Sequence, residues 1–374
     1  MKLKLSKPSV LTGDGGTWNI TPNQQKFKPV YRMWKYRTAQ YDDEDLIELG
    51  KGGLLLGEGG CGKTHLIKRF IEKHGGKCQA YSPTWKAARN GIGGSSLYSL
   101  FSDMKHKRKT LNGVDWIIID EISMMSQNYY GLLLILKKQY PTIKFILSGD
   151  FHQLPPVKEQ SRRYSHALFD LVEGIQWEFP KNWRCDEELL RDSRILRNGG
   201  ELGIQGYAFD KRRINLVKTN RLRKIINQRL NDEESTGKSY TTIEPTGNRL
   251  TQPMKLFKGV PLMAIRTQED DNIYNSERWD VVRVDFKDKE KKKVKQIILK
   301  HIQTGTTKEF SKTEITGLFV LAYAFTTYKS QGETINEPYT IWEWESMSKE
   351  CRYVALSRGT RKEYINIVRR EIDE

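Results

Sequence analysis

The sequence predicts an α/β protein made of two tandem units, each built on a parallel sheet with helices on both faces. Short apolar segments alternate with segments of helical spacing from residue 53 onward, and the same alternation begins again near residue 214. Residues 261–316 carry a different pattern, in which apolar and polar residues partly alternate. That pattern predicts a small antiparallel β insertion within the second unit.

The first unit is predicted from five segments in chain order. Apolar strands that are buried on both faces read as continuous apolar runs, whereas helices place apolar residues on one side. The predicted strands and helices are Gly53–Leu56 (strand), Thr64–Lys73 (helix), Trp116–Ile119 (strand), Gly131–Lys138 (helix) and Lys144–Ser148 (strand).

The elements of the second unit are predicted by the same criteria. Its predicted elements are Ile214–Val217 (strand), Arg221–Leu230 (basic helix), Leu318–Ala324 (buried strand), Lys349–Leu356 (helix) and Tyr364–Val368 (final strand). Inside it, Asp280–Phe286 and Val294–Ile302 predict a hairpin around the charged turn KDKEKKK. The lysines of that turn indicate a solvated loop, with a nucleic-acid contact as the alternative.

Charge and cysteine usage limit the classes of function. The chain has 374 residues, of which 63 are Lys or Arg and 46 are Asp or Glu, so its formal charge is +17. Such a field favours polyanions, usually nucleic acid, although a merely soluble basic protein is the alternative. No segment is apolar enough for a membrane span or a secretory signal. The four cysteines are widely spaced, which argues against a zinc site and predicts a reducing, intracellular location, cytoplasmic or nuclear.

A phosphate-binding loop is predicted at residues 57–64. The segment GEGGCGKT fits GxxxxGK[ST] at every fixed position, and it follows a strand and opens a helix. Glycines let backbone N–H groups surround phosphate oxygens, while the lysine reaches the β- and γ-phosphates of ATP and the threonine hydroxyl ligates Mg²⁺. The predicted nucleotide-binding residues here are Gly57, Gly59, Gly60, Cys61, Gly62, Lys63, Thr64 and His65.

Two further motifs follow the next buried strands. Asp120 and Glu121 end the strand WIII, where the first would hold Mg²⁺ and the second would polarise the attacking water. Gln153 lies in GDFHQLPPV after the strand KFILS, and its amide has the reach to sense a γ-phosphate or a water. Taken without the preceding motifs, that segment is more typical of a surface loop that ends at prolines.

Seven segments together carry a resemblance to a known family. They are GEGGCGKT (57–64), SPTWKAA (82–88), DEISMM (120–125), GDFHQLPPV (149–157), NWR (182–184), AYAFTTYKSQGET (322–334) and RYVALSRG (352–359). In this order they resemble superfamily 1 helicases of the RecD-like and Pif-like branch, over roughly residues 50 to 370. The resemblance implies two tandem RecA-like P-loop NTPase domains at 51–178 and 179–374, after an N-terminal segment 1–50. It also implies that the insertion at 261–316 is SH3-like.

The resemblance also assigns roles to individual residues. Lys63, Asp120, Glu121 and Gln153 would be catalytic residues of the first domain, and Arg184 and Arg358 would reach the γ-phosphate from the second. Gln331 and Gly332 would contact the nucleotide. The residue that reads adenine would be Gln24 or Gln25, with Gln40 as another option. Nucleic acid would be contacted by Ser82, Pro83, Thr84, Trp85, Tyr98, His152, Thr326, Thr327, Tyr328, Lys329 and Ser330. Phe151 is a further candidate for stacking on bases, with a place in the core as the alternative.

The sequence as a whole therefore predicts an ATP- and Mg²⁺-dependent DNA helicase or translocase. The resemblance implies a monomeric motor that moves 5′ to 3′ on single-stranded or tailed duplex DNA in replication, repair or recombination. Residues 102–113, where the family often holds its strand-splitting wedge, are short and basic. Two alternatives stay open: an RNA helicase of a viral replicase type, and a nucleotide-gated clamp that binds single strands without unwinding. The compact length suits a protein encoded by a virus or mobile element.

Overall fold

The computed structural model describes residues 33–83, 91–106, 108–156, 159, 166–203, 214–287 and 293–368. The chain divides into a unit of residues 1–33 and a unit of residues 34–374, and every contact below lies within the second. No described helix combines the length and the hydropathy that are needed to span a lipid bilayer.

Seven strands from the first half of the chain form one parallel sheet. They are β1 (Lys35–Thr38), β2 (Gly53–Leu56), β3 (Cys78–Ser82), β4 (Ser95–Ser96), β5 (Trp116–Ile119), β6 (Lys144–Gly149) and β7 (Ile175–Glu178). Their spatial order is β1-β7-β2-β6-β5-β3-β4. The first domain was predicted to begin at residue 51, after an N-terminal segment 1–50. Strand β1 lies within that N-terminal segment, so the sheet begins earlier in the chain than predicted.

Helices cover both faces of this sheet. Successive residues of a strand point to opposite faces, and in β5 Ile117 and Ile119 enter one core cluster while Ile118 enters the other. Both faces are therefore buried, which explains why the strands are apolar throughout. The helices are α1 (Asp43–Leu49), α2 (Lys63–His74), α3 (Leu97–Lys105), α4 (Gln127–Gln139) and α5 (His166–Val172).

A second parallel sheet has four strands, in the order β16-β8-β17-β18. These are β8 (Ile214–Val217), β16 (Ala324–Thr326), β17 (Tyr339–Ile341) and β18 (Ile365–Ile367). The helices α6 (Glu187–Arg197), α7 (Asn220–Ser235), α9 (Thr327–Ser330) and α10 (Lys349–Leu356) belong to this half. Single-turn 3₁₀ helices lie at Gly75–Lys77, Ile122–Met124, Trp344–Ser346 and Lys362–Tyr364.

An antiparallel sheet interrupts the second half between β8 and β16. Its strands, in the order β14-β13-β12-β11-β15, are β11 (Pro261–Ala264), β12 (Arg278–Phe286), β13 (Val294–His301), β14 (Thr307–Phe310) and β15 (Phe319–Leu321). The predicted hairpin is β12–β13. A two-stranded ladder of β9 (Thr241–Ile243) and β10 (Met254–Leu256) precedes this sheet, and α8 (Lys312–Leu318) precedes β15. The SH3-like character of the insertion stays a prediction.

The prediction of one strand over Leu318–Ala324 was wrong. The segment supplies β15 to the antiparallel sheet and then, after Ala322 and Tyr323, starts β16 of the parallel sheet. Both residues of the connection are buried, with Tyr323 fully enclosed. Hydropathy stays high across the connection because both sheets bury it, so the apolar run does not reveal where the pairing partner changes.

Candidate functional site

The phosphate-loop segment connects β2 to α2, as the sequence predicts. Gly60 and Gly62 have φ of 87° and 92°, in the region that favours glycine. A side chain at Gly60 would also place its Cβ 2.3 Å from the Cβ of Arg184. Backbone conformation thus favours glycine at both positions, and at Gly60 the close approach of the chain that follows β7 also requires it.

Lys63 is the first residue of α2, and its side chain is buried within the loop. Its Nζ donates hydrogen bonds to the carbonyl oxygens of Gly57 at 2.8 Å and Glu58 at 2.9 Å, and it lies 3.4 Å from Cys61 Sγ. The ammonium is therefore held within the loop, and Lys63 lines the cavity described below.

Asp120 and Glu121 lie directly after β5, beside the start of α2. The Thr64 hydroxyl donates to Asp120 Oδ2 at 3.2 Å, so two oxygen ligands suited to Mg²⁺ are adjacent. Glu121 has a left-handed backbone with φ of 57°, and its Oε2 is buried with no hydrogen-bond partner among the described residues. Burial raises the pKa of Glu121, and Asp120 raises it further, against the opposing charge of Arg358.

Asp150 anchors the loop that follows β6. Its carboxylate is buried and accepts hydrogen bonds from Tyr353 Oη at 2.6 Å and from the His152 backbone N–H at 3.2 Å, with Arg197 Nη2 at 3.4 Å. Burial alone would raise the pKa of Asp150, but the bond from His152 and the charges of Arg197 and Lys63 outweigh it, so that pKa lies well below its usual range. The loop is thereby tied to α6 and α10 of the second half.

Arg184 approaches the loop from the segment between β7 and α6, and Arg358 approaches it from the segment that follows α10. Arg358 is only 2% exposed, and its guanidinium donates to the carbonyl oxygens of Val354 and Glu333 and to the Ser357 hydroxyl. Arg184 Nη1 donates to the Ser357 carbonyl oxygen at 3.2 Å. Burial, together with the neighbouring Arg358, lowers the pKa of Arg184 to about 10.

One cavity of about 360 Å³ brings these groups together. Of the residues predicted for nucleotide binding and catalysis, it is lined by Gly59, Gly60, Gly62, Lys63, Thr64, His65, Asp120, Glu121, Gln153, Arg184, Gly332 and Arg358. Gln153 is buried, and its Oε1 has no hydrogen-bond partner among the described residues. Gly57, Cys61 and Gln331 do not line this cavity. The sequence reasoning missed Gly91, Gly149, Asp150, Trp183 and Thr334, which also line it.

A second cavity, of about 570 Å³, lies between the first sheet's loops and the insertion. Tyr98 and Tyr328 line it and are 71% and 40% exposed. Lys329 Nζ donates to Asn275 Oδ1 and Ser276 Oγ, both at 2.7 Å, which ties α9 to the insertion. The other lining residues are Pro83, Ser96, Met124, Thr267, Asn275, Ser276, Thr326, Lys329 and Gln331.

Several residues predicted to contact nucleic acid do not line this second cavity. The hydroxyls of Ser82, Thr327 and Ser330 are buried and donate to backbone carbonyls. His152 is held against Asp150 instead. For these four positions the structure does not support direct strand contact by the side chain. Phe151 lies in the first half's core, so the core alternative applies to it.

Three predicted contacts lie outside the described residues: Thr84, Trp85 and the adenine-reading Gln24 or Gln25. The other option, Gln40, is exposed, and its amide donates to the Thr38 carbonyl oxygen at 3.3 Å. Its neighbour Tyr41 donates from Oη to the Cys61 carbonyl oxygen at 3.1 Å. Gln40 is therefore adjacent in the chain to a residue that contacts the phosphate loop.

The short segment at the predicted wedge position is held against the first sheet. Lys109 Nζ donates to Tyr81 Oη at 2.8 Å, and Leu111 is buried in the core. These two contacts anchor residues 109 and 111 to the first half of the molecule.

Comparison with known proteins adds to this geometry. Residues 47–173 match a family described as an AAA domain. An RNA replication polyprotein of Blueberry scorch virus is 30% identical over 146 residues, 34% of this chain and 7% of that protein. The ATP-dependent DNA helicase PIF7 of Trypanosoma brucei brucei is 26% identical over 179 residues, 40% of this chain and 18% of that protein. The chain thus matches less than a fifth of either relative.

The solved structures extend the likeness to most of the chain. The Pif1 helicase from Candida albicans aligns with a TM-score of 0.70 at 21% identity, over 89% of this chain and 94% of that one. This chain has the Pif1-like fold. The Pif1 helicase from Bacteroides in complex with ADP-AlF3 and ssDNA aligns with a TM-score of 0.62 at 22% identity, over 87% of this chain and 90% of that one.

The Pif1-like fold confirms two parts of the sequence prediction. An α/β architecture is confirmed, and so is the fold of two RecA-like domains that the resemblance implied. The seven-stranded sheet is the first of these domains, and the four-stranded parallel sheet with its helices is the second. The candidate nucleotide cavity lies between them.

Proposed function

We propose that this protein is an ATP-hydrolysing DNA helicase or translocase of the Pif1-like type. The observation that carries the proposal is the 360 Å³ cavity, in which the phosphate loop and the acidic pair of one RecA-like domain face two arginines of the other. The similarity of 40% of this chain to an ATP-dependent DNA helicase supports it. Such a cavity changes shape when the two domains move, which is what a motor requires.

The proposed chemistry is transfer of the γ-phosphoryl group of ATP to water. Glu121 has the position and the raised pKa of a general base that accepts a proton from that water. Arg184 and Arg358 would stabilise the charge that develops on the γ-phosphoryl oxygens, because a planar guanidinium can donate two parallel hydrogen bonds. Thr64 and Asp120 would hold Mg²⁺, which would supply positive charge to offset the negative charge of the phosphates.

The proposed partner is a single DNA strand in the 570 Å³ cavity. Tyr98 and Tyr328 offer exposed rings on which bases can stack without regard to sequence. Gln331 lines this cavity, and its Nε2 donates to the Leu154 carbonyl oxygen at 3.4 Å, one residue beyond Gln153 of the nucleotide cavity. Through that contact, a change at the nucleotide cavity on hydrolysis would alter how tightly the second cavity binds the strand. Movement in the 5′-to-3′ direction is part of the proposal.

Strand displacement tests this function. Purified protein is mixed with ATP, Mg²⁺ and one of two matched DNA duplexes, with a 5′ or a 3′ single-stranded tail. We expect only the 5′-tailed duplex to open, and no opening with the Lys63→Ala variant. Opening of the 3′-tailed duplex alone would overturn the polarity, and ATPase activity that survives Lys63→Ala would overturn the site assignment.

An RNA helicase is the second candidate, and a specific similarity favours it. The relative with 30% identity over 146 residues is an RNA replication polyprotein. Stimulation of ATP hydrolysis by equal lengths of single-stranded DNA and RNA separates the two candidates. Stronger stimulation by DNA is expected, and stronger stimulation by RNA would reverse the assignment.

Removal of either exposed tyrosine is expected to weaken strand binding. Stacking of a base on an aromatic ring contributes about 1–3 kcal/mol, so Tyr98→Ala and Tyr328→Ala should each reduce affinity for single-stranded DNA by about 5- to 150-fold. Fluorescence anisotropy with a labelled oligonucleotide measures this change. Tyr36→Ala is the matched control, because Tyr36 is 61% exposed on β1 and does not line the cavity. Equal affinities for all three variants would exclude stacking at these positions.

A further inference from the structure

Glu58, in a variable position of the phosphate loop, makes an ion pair that the catalytic assignment does not use. Glu58 is buried, and its carboxylate accepts hydrogen bonds from Arg194 Nη2 at 2.7 Å and Arg194 Nε at 3.1 Å. Asn182 Nδ2 adds a third bond at 3.3 Å. Two parallel bonds from one guanidinium to one carboxylate form the strongest common geometry for such a pair.

Arg194 belongs to the second RecA-like domain. It lies on α6, whose Leu189 and Leu196 are fully buried in the same core cluster as Ile214 of β8. The guanidinium is therefore carried by a helix that is fixed to the second domain, while Glu58 is part of the phosphate loop of the first. The ion pair joins the two domains at the edge of the nucleotide cavity.

The residues before α6 extend this attachment along the loop. Asn182 Nδ2 donates to the Gly59 carbonyl oxygen at 2.9 Å, and the Trp183 backbone N–H donates to the Gly60 carbonyl oxygen at 2.8 Å. Three consecutive loop residues, 58 to 60, thus accept hydrogen bonds from the chain that leads into the second domain.

The Glu58–Arg194 pair is more exposed to solvent than the Asp150–Arg197 pair, which also joins the two domains. Asp150, Arg197 and Tyr353 also join the domains, but the Asp150 side chain is fully buried. The Arg194 side chain is 47% exposed, whereas that of Glu58 is 9% exposed. A half-exposed guanidinium regains its hydration easily when the pair separates, so this contact can open and close repeatedly.

We propose that Glu58 and Arg194 form a latch that holds the phosphate loop against the second RecA-like domain and slows the release of ADP. The proposal rests on the proposed function in one respect, that the 360 Å³ cavity binds adenine nucleotides. Arg194 acts as a positioning residue through Glu58, and the latch sets how often the cleft opens. Because nucleotides leave through the same opening, the latch controls the rate of release.

The test follows release of a fluorescent ADP analogue, mant-ADP, from the full chain by stopped flow. We expect Arg194→Ala and Glu58→Gln each to speed release by about 5- to 10-fold. The double variant should be no faster than either single variant, because both remove one shared interaction. Arg194→Lys keeps the charge but not the two parallel bonds, so it should fall between the wild type and Arg194→Ala.

Arg191→Ala provides the matched control, because it removes one positive charge from an exposed position on the same helix. Its release rate should equal that of the wild type. High salt should speed release from the wild type more than from Arg194→Ala, since only the wild type has the ion pair to screen. Unchanged release in Arg194→Ala, or additive effects in the double variant, would overturn the latch.

Different experimental results would contradict the latch and the proposed function. Wild-type protein that does not bind mant-ADP would overturn the nucleotide site itself. Wild-type protein that binds mant-ADP, together with an Arg194→Ala variant of equal thermal stability and equal release rate, would overturn the latch alone.

Discussion

Replacement of Glu121 by glutamine is expected to lower the rate of ATP hydrolysis by about 10²- to 10⁴-fold, the contribution of a positioned general base. Glutamine keeps the size and shape of the side chain but cannot accept the proton. Glu121 is enclosed beside Asp120, where burial raises its pKa, so the change also removes a costly buried charge. The fold and the nucleotide affinity should therefore survive.

Single-turnover kinetics measure the rate of ATP hydrolysis, and titration with mant-ATP measures the nucleotide affinity. Glu72→Gln is the control, since Glu72 is an exposed glutamate on α2, the same helix that begins at Lys63. A Glu121→Gln variant that hydrolyses ATP within about threefold of the wild type would show that another group serves as the base, because the loss would lie far below the contribution of general-base catalysis.

Replacement of Arg358 by lysine is expected to lower the turnover number by about 10³-fold or more, as removal of an arginine finger does in related phosphoryl-transfer sites. Lysine retains a positive charge but lacks the planar group that can contact two oxygens at once. Arg358 is held by hydrogen bonds to Val354, Glu333 and Ser357, which fix the direction of its guanidinium. A more flexible ammonium would lose that direction.

The loss should be confined to catalysis. Turnover number and ATP affinity are measured separately, and the effect is expected mainly in the first. Arg361→Lys is the control, because Arg361 is an exposed arginine three residues further along the chain and pairs with the exposed Glu363. If Arg358→Lys weakened ATP binding without slowing hydrolysis, Arg358 would be a ground-state contact rather than a transition-state one.

Local sequence order explains which parts of the site could be predicted. The phosphate loop, the acidic pair and Gln153 each follow a buried strand of one parallel sheet, so the apolar pattern of β2, β5 and β6 also locates them. The arginines of the second domain were found only through the resemblance to superfamily 1 helicases. No periodicity distinguishes Arg184 or Arg358 from the other basic residues of the chain.

Contacts between the domains could not be predicted from sequence. Glu58 stands at a variable position of its motif, and Arg194 lies more than a hundred residues further along on an amphipathic helix. Likewise, the roles of Tyr353 and Arg197 at Asp150 depend on how two sheets approach each other. Propensity and hydropathy describe single elements, so they contain no information on which side chains meet across a cleft.

The antiparallel insertion lies between β8 and β16 in the chain, so it determines when the second parallel sheet can form during synthesis. Asn215 of β8 hydrogen-bonds Tyr323, next to β16, although 108 residues separate them. The second parallel sheet therefore closes only after the insertion has been synthesised, and its last strand ends at Ile367. Domains generally fold as units during synthesis, so the first domain can fold while the ribosome is still translating the second. A nascent chain then holds a complete phosphate loop long before it holds Arg358, so the proposed ATP site becomes complete only after Arg358 has been synthesised.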